Sequence, residues 1–454
     1  MKRKEIKYYE LNLSQEVVKL QCTYTLDKRV VNIMASATAK SLDFSILKQA
    51  LNLAIERNDC TRLRFVKKNK QLMQYFIPEY EIKNVDCFEF NDKEEQEMFI
   101  ETEVKKPIKY LKGEVIKPYF IKTFDNKYMV LFKVCHLIFD IYGLNLFIND
   151  IFDIYQSFLK ITELPPAPKK FEDQLIKDIE LKHNKQKVAD DYNYFKNLFE
   201  NNPEPYYAGF DGLTNKYTIK ALKQNKRKVP LFFIKNSTKL YHHSMPKDIC
   251  EKLVEFSKQH NITIANLLMY IFSTTQSRLN NDIPYLLPLE LCNVRGTLLE
   301  RKCAGTKAQS LNCYTKVDKE KTFLENVKEF SDMQTENYRH IGIKDFDAQK
   351  LLHTTYKSSM MSTYYSLSFS FIPFEKRKDF ELNLYSNGKC ALPAYVAVLY
   401  DYKNNEMGIG YDCQTALISE KNVKDFHKNL ILCIEQVTNN PNILIKDIKL
   451  QEMK

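Results

Sequence analysis

Residues 128–134 (Tyr-Met-Val-Leu-Phe-Lys-Val) form an apolar run broken only by Lys133. From Gly143 onward, Leu144, Phe147, Ile148, Ile151, Phe152, Tyr155, Phe158 and Leu159 recur at helical spacing. A continuous apolar run suits a strand buried on both faces, and the period that follows suits a helix with one face on a core. Any fold for this chain must therefore carry a buried strand, a tight turn and an amphipathic helix in immediate succession. The turn holds Cys135, His136 and Asp140, with histidine and aspartate four apart. A strand end is where a rigid scaffold can present a titratable group to a cleft, and an imidazole, with its ordinary pKa of about 6.5, exchanges a proton near neutrality. A lone histidine after an apolar run is more often a core residue than a catalyst, so the rest of the chain has to decide.

The composition is that of a soluble, core-forming protein. With 44% hydrophobic and 13% aromatic residues over 454 positions, the chain exceeds the roughly 250 to 300 residues at which single cores split, so two lobes are expected. No apolar run approaches the roughly 18 residues of a membrane span. Met1-Lys2-Arg3-Lys4 leads into Tyr8 and Glu10 rather than a signal-peptide core, so a cytoplasmic protein without membrane contact is expected. Eleven cysteines without a Cys-x-x-Cys pair read as scattered thiols in a reducing compartment, and no metal site is expected. The net charge of +11 comes from lysines mixed with 57 acids along the whole chain, with no arginine-rich run, which argues against nucleic acid. A basic face can instead steer an acidic protein partner. His242-His243 is a second double histidine, but Asp248 lies five residues on and Ser244-Met245-Pro246 reads as a helix start, so the pair is set aside.

Three segments are expected. The first lobe, 1–165, contains a strand at 32–39, a helix over 41–57 carried by Ile46, Leu47, Ala50, Leu51, Ala54 and Ile55, and the strand and helix around His136. Leu164-Pro165-Pro166-Ala167-Pro168 then breaks regular structure. An inter-lobe segment, 166–228, has a long polar helix pattern over 171–199 and a lysine-rich stretch at 220–228. The second lobe, 229–454, has helices over 246–258 and 263–279, a strand at 285–291, and a hairpin of 395–402 and 407–411 turning at Asn404-Asn405.

The segment around His136 resembles the His-His-x-x-x-Asp-Gly motif of nonribosomal peptide synthetase condensation domains, members of the chloramphenicol acetyltransferase-like superfamily. His136 matches the second histidine and Asp140 the aspartate. Cys135 stands at the first histidine and Ile141 at the glycine, while Tyr142-Gly143 replaces Trp-Ser. The likeness extends along the chain. Leu13-Ser14 is similar to the opening Leu-Ser-x-x-Gln, with Val17 at the glutamine. Arg57 to Phe65 resembles Arg-His-Glu-x-Leu-Arg-Thr-x-Phe. Asn293-Val294-Arg295-Gly296, then Gly305 and Gln309-Ser310-Leu311, is similar to an Asn-Arg stretch followed by Gly-x-Phe-Val-Asn-Thr-Leu. Thr322-Phe323-Leu324 and a closing helix over 419–438 before Asn440-Pro441 also fall in order.

The resemblance implies an α/β (α+β) fold of two chloramphenicol acetyltransferase-like lobes in a V-shaped pseudo-dimer, with His136 in a tunnel open at both ends. It implies that an acyl thioester on a carrier's phosphopantetheine meets an amine there. His136 would take a proton from the attacking nitrogen or hold one and stabilise the developing charge. The resemblance gives Asp140 a structural part, paired with an arginine matched by Arg62, and leaves Cys135 to fill the first histidine's slot. Adjacent strand residues point to opposite faces, so a Cys135–His136 nucleophilic dyad is not expected. Tyr142, Gly143, Gln309, Ser310 and Ser368 are expected along the substrate tunnel. At Ile141 two outcomes stay open: a loop reshaped so that Gly143 takes the glycine's part, or lost activity.

No adenylation or carrier segment and no Asp-Ser attachment signature is visible, so the chain is expected to work as a free-standing monomer. Acyl or peptidyl carrier proteins would act in trans, and the acceptor would be a small amine or a carrier-bound aminoacyl group. No permanently bound cofactor is expected, only the partner's 4'-phosphopantetheine or a CoA thioester. Amide-forming condensation leads, with a CoA-dependent O- or N-acyltransferase or a non-catalytic carrier-docking relative as alternatives. The Asp-Phe-Gly-Trp-Gly loop usual in CoA-dependent plant relatives cannot occur in a chain without tryptophan, which favours the carrier-dependent reading.

Overall fold

The computed structural model describes residues 6–210, 212, 220, 227–231 and 236–453, and most of the lysine-rich 220–228 stretch lies outside them. The chain forms two compact units. Unit 1 is Met1–Asn184 with Asn293–Gln309 and Arg377–Asn387 added to it, and unit 2 is Lys185–Cys292, Ser310–Lys376 and Gly388–Lys454.

Unit 1 is built on a five-stranded sheet. Strands β1 (Asn32–Ala39), β4 (Asp86–Glu89), β5 (Ile116–Lys122) and β6 (Tyr128–Cys135) lie in the order β1-β6-β5-β4, with Glu381–Tyr385 on the other edge of β1, while β2 (Leu63–Lys68) and β3 (Gln71–Phe76) pair with each other in a separate hairpin. The alternation of a strand sends Val130, Phe132 and Val134 of β6 into one core with Ile33, Ala35 and Ala37 of β1. Met129 and Leu131 go into a second core with Met34 and Ile100. Burial on both faces explains the apolar run, broken only by Lys133. Lys133 falls on the second face and finishes helix α3 (Lys93–Lys105): its ammonium donates to the Glu103 and Lys106 carbonyls at 3.1 and 3.3 Å and to the Glu103 carboxylate at 3.2 Å.

On the first face lie α2 (Phe44–Arg57) and α4 (Ile141–Lys160), whose apolar stripes supply Leu47, Ala50, Leu51, Ala54, Leu144, Phe147, Ile148 and Ile151 to the core. Asp43 caps α2 by accepting from the Ser45 and Ile46 amides. Helix α1 (Leu13–Thr25) opens on a capping box of Asn12 and Gln15. The capping pair thus stands two positions before Ser14 and Val17, the residues set against the serine and glutamine of the opening likeness.

The polar helix pattern over 171–199 is two helices, α5 (Phe171–His183) and α6 (Lys185–Glu200), because Asn184 turns extended between them where the chain passes from unit 1 to unit 2.

Unit 2 carries a six-stranded sheet in the order Ala308–Asn312, Leu289–Asn293, Ser368–Phe374, Ala394–Asp401, Glu406–Gln414, Thr238–Ser244. The expected strand at 285–291 is divided into Tyr285–Leu286 and Leu289–Asn293, because Pro288 has no amide to give a ladder. The hairpin is antiparallel as expected, with Asn405 in the left-handed region at φ +53° and its side chain accepting from the Tyr400 hydroxyl. Helix Ile264–Leu279 is buried over Asn266–Ser277, and Glu420–Asn439 closes the fold from a Ser419 capping box. None of the eleven cysteines is in a disulfide. Among the described residues no helix is long and apolar enough to cross a membrane.

Candidate active site

The strand-to-helix turn of unit 1 places His136 one residue beyond β6. Its amide donates to the Val31 carbonyl at 2.7 Å, and the Ile138 and Phe139 amides fold back onto the Cys135 carbonyl at 2.9 and 3.3 Å. The ring nitrogen Nδ1 lies 2.9 Å from the Phe139 carbonyl. A carbonyl only accepts, so Nδ1 carries the proton and Nε2 keeps the lone pair. Loss of solvent lowers the ring's pKa below the ordinary histidine value, against smaller opposing pulls from backbone hydrogen bonds and the Asp140 charge. A neutral imidazole with a basic Nε2 can accept a proton at physiological pH.

Asp140 does not hold that ring. It caps α4, accepting from the Gly143 amide at 2.6 Å, and receives the Lys307 amide at 2.7 Å. Arg295 grips it bidentately, Nη1 to Oδ2 at 2.9 Å and Nη2 to Oδ1 at 3.2 Å. The remaining Arg295 donors go to the carbonyls of Cys303 and Gly305 and to the Asn293 side chain, so this guanidinium has a partner on every nitrogen.

Arg62, expected as the arginine of Asp140, is therefore replaced in that part by Arg295. Arg62 ends the short turn Asp59–Arg62 after α2, half-exposed, and bonds back to the Glu56 carbonyl at 2.6 Å, whereas Arg295 is buried. The Asn-Arg stretch at Asn293–Arg295 was the signal that could have found it. Its position 155 residues from Asp140 hid the pairing.

Cys135 is fully buried, and its thiol is pushed up to about 12 by desolvation, which leaves no thiolate for nucleophilic work. Ile141 opens α4 in helical conformation and is not among the residues with positive φ, so nothing about the backbone there asks for glycine. The glycine requirement falls on Gly143, where an added Cβ would stand 2.5 Å from the Gly305 carbonyl oxygen. Gly305 in turn adopts φ +116° with the Phe171 ring packed where its own Cβ would be.

Of the residues expected along a tunnel, Tyr142 lies with its ring 4.9 Å from the Arg295 guanidinium carbon and donates to the Arg301 carbonyl at 3.2 Å. Gln309 ends the 293–309 segment of unit 1 and is half-buried. Ser310 and Ser368 belong to unit 2, where Ser310 donates to the Asp345 carboxylate and Ser368 to the Ala394 carbonyl at 3.3 Å.

Comparison with known proteins follows the same lines. A condensation-domain family model matches residues 7–453. A plipastatin synthase chain of Bacillus subtilis (strain 168) is 22% identical over 430 residues, 93% of this chain and 16% of that protein. Surfactin synthase subunit 1 of the same organism is 20% identical over 460 residues, 98% of this chain and 12% of that protein. The chain thus spans less than a fifth of the length of these synthetases. Among solved structures, the starter condensation domain of rhizomide synthetase in complex with C8-CoA superposes with a TM-score of 0.80 at 13% identity over 98% of both chains. The condensation domain of Monacolin K polyketide synthase gives 0.79 at 14% identity over 97% of this chain and 100% of that one. The folds are the same. Matched from residue 7 to residue 453, the chain belongs to the condensation-domain family, whose members form amide bonds.

Proposed function

We propose that this chain is an active condensation catalyst that joins an acyl thioester to an amine, with His136 as its catalytic residue. The observation that carries this reading is the Nδ1–H bond to the Phe139 carbonyl, which leaves a neutral, basic Nε2. The amine nitrogen attacks the thioester carbon and the carbonyl electrons move onto oxygen. Nε2 takes a proton from the nitrogen, and collapse re-forms the carbonyl and expels the sulfur, which leaves as a thiol with the proton returned by the imidazolium. An α-amine with a pKa of about 7.7 to 8.0 is partly nucleophilic unaided, so holding the two reactants together supplies much of the acceleration.

The donor is an acyl group on a carrier protein's phosphopantetheine, a reading supported by the synthetases among the relatives. A CoA thioester donor is the second reading, favoured by the C8-CoA bound to the rhizomide synthetase domain. Mass spectrometry of purified protein offered acyl-carrier or acyl-CoA with a pool of amines tests both. Amide from the carrier alone supports the first donor, amide from CoA alone the second, and product formation undiminished in His136→Ala would overturn the role given to the ring.

A further inference from the structure

Two consecutive peptide planes in the motif turn are pinned by side chains from elsewhere in unit 1. The Thr306 hydroxyl donates to the His136 carbonyl at 2.6 Å, and the Gln15 amide donates to the Leu137 carbonyl at 2.8 Å. Neither anchor is loose. Thr306 is fully buried and its own carbonyl receives the Asn12 side chain at 3.3 Å. Gln15 is also fully buried and exchanges a reciprocal amide pair with Gln74 at 2.7 Å.

What these bonds fix is the partner of the ring. The Phe139 carbonyl that takes the Nδ1 proton lies three residues beyond His136, and the planes between them decide where that carbonyl stands. The plane that carries the Leu137 carbonyl is also tied through the Ile138 amide to the Cys135 carbonyl at 2.9 Å, so the Thr306 bond weighs most on the plane next to the ring, that of the His136 carbonyl. The same 293–309 segment that delivers Thr306 also delivers Arg295 and the Lys307 amide to Asp140, so the turn is held at His136 and at Asp140 by one piece of chain. Thr306 follows Gly305 at the unspecified position of the stretch similar to Gly-x-Phe-Val-Asn-Thr.

We infer that Thr306 is a positioning residue for His136: its hydroxyl, with Gln15 beside it, locks the turn so that the imidazole is held as the Nδ1–H tautomer with Nε2 free to take a proton. The catalytic part of this inference rests on the function proposed above, while the tautomer part does not.

The test is Thr306→Val, which removes the hydroxyl at nearly constant shape, with Thr306→Ser as the conservative rescue. In protein with 15N-labelled histidine, long-range proton–nitrogen correlation should show a single Nδ1–H form of His136 in the wild type and in Thr306→Ser, and a mixture of tautomers in Thr306→Val. kcat should fall about 3- to 10-fold in Thr306→Val with KM unchanged, and return in Thr306→Ser. Thr306→Ala, which adds no bulk, serves the same purpose if the valine variant does not fold. A wild-type tautomer together with wild-type kcat in a folded Thr306→Val or Thr306→Ala protein overturns the inference. A tautomer mixture with no turnover in any of the proteins sustains the positioning of the ring and refutes the proposed reaction instead.

Discussion

A carboxylate whose lone pairs are all taken makes a firm anchor. Asp140 accepts from two guanidinium nitrogens and two amides, which is all a carboxylate can take. Breaking a buried pair from one side strands the other charge and costs about 3 to 5 kcal/mol. Asp140→Ala and Arg295→Ala should therefore each lose soluble protein or melt far earlier than the wild type, and the double variant should melt little below either single one. Arg62→Ala should stay within about 1 kcal/mol of the wild type in stability, as expected for a half-exposed arginine that bonds to the Glu56 carbonyl and feels the Asp59 charge. Cys135→Ala should keep its turnover, and acyl-enzyme detected on Cys135 would contradict that. The titratable residues of the motif were legible because four residues of spacing bring His136 and Asp140 onto one turn. Arg295 and Thr306 were not, because long-range pairing leaves no periodic trace.

At the scale of elements, the glycine-on-glycine contact between α4 and the 293–309 segment leaves no room for a methyl group. Gly143→Ala pushes a methyl into backbone that cannot swing aside, and overpacking of that kind costs about 1 to 3 kcal/mol, read as a lowered melting temperature. Ile141→Gly restores the motif's usual residue yet should leave turnover unchanged and lower stability by up to about 1 kcal/mol, the helix penalty of glycine. A large gain in activity would show that the isoleucine is the true handicap. Elements with a strong period, β1, β6, α2 and α4, were readable along the sequence. The breaks at Asn184 and Pro288 went unread because polar helix spacing ran across the first and an apolar stretch covered the second.

Over the whole molecule, buried groups make stability depend on pH in two opposing ways. The Tyr411 hydroxyl is hydrogen-bonded to His427 Nδ1 at 3.0 Å, the His243 ring is stacked 4.6 Å away, and desolvation lowers His427 to about 4. An unfolded chain takes up that proton near pH 6.5, so this contribution is present above 6.5 and lost as pH falls toward 4. Glu290, buried beneath the Tyr338 hydroxyl, is raised by desolvation to about 7, so its contribution is full below about 4.5 and lost as pH rises through 7. Melting curves from pH 4 to 9 should show His427→Gln losing less stability than the wild type on acidification, and Glu290→Gln losing less on the alkaline side. Parallel curves for variant and wild type would refute either assignment. Reading along the sequence divides a chain into consecutive pieces, and only the structure shows unit 1 taking in 293–309 and 377–387 from far downstream.

That late contribution sets a clock during synthesis. Asp140 leaves the ribosome 155 residues ahead of the guanidinium that neutralises it. At about 5 to 20 residues per second the nascent motif waits roughly 8 to 30 seconds, its helix cap charged and incomplete. Stalled translation between these two points should therefore yield chains in which the histidine turn is open to proteases, and it should close only once residue 307 has emerged.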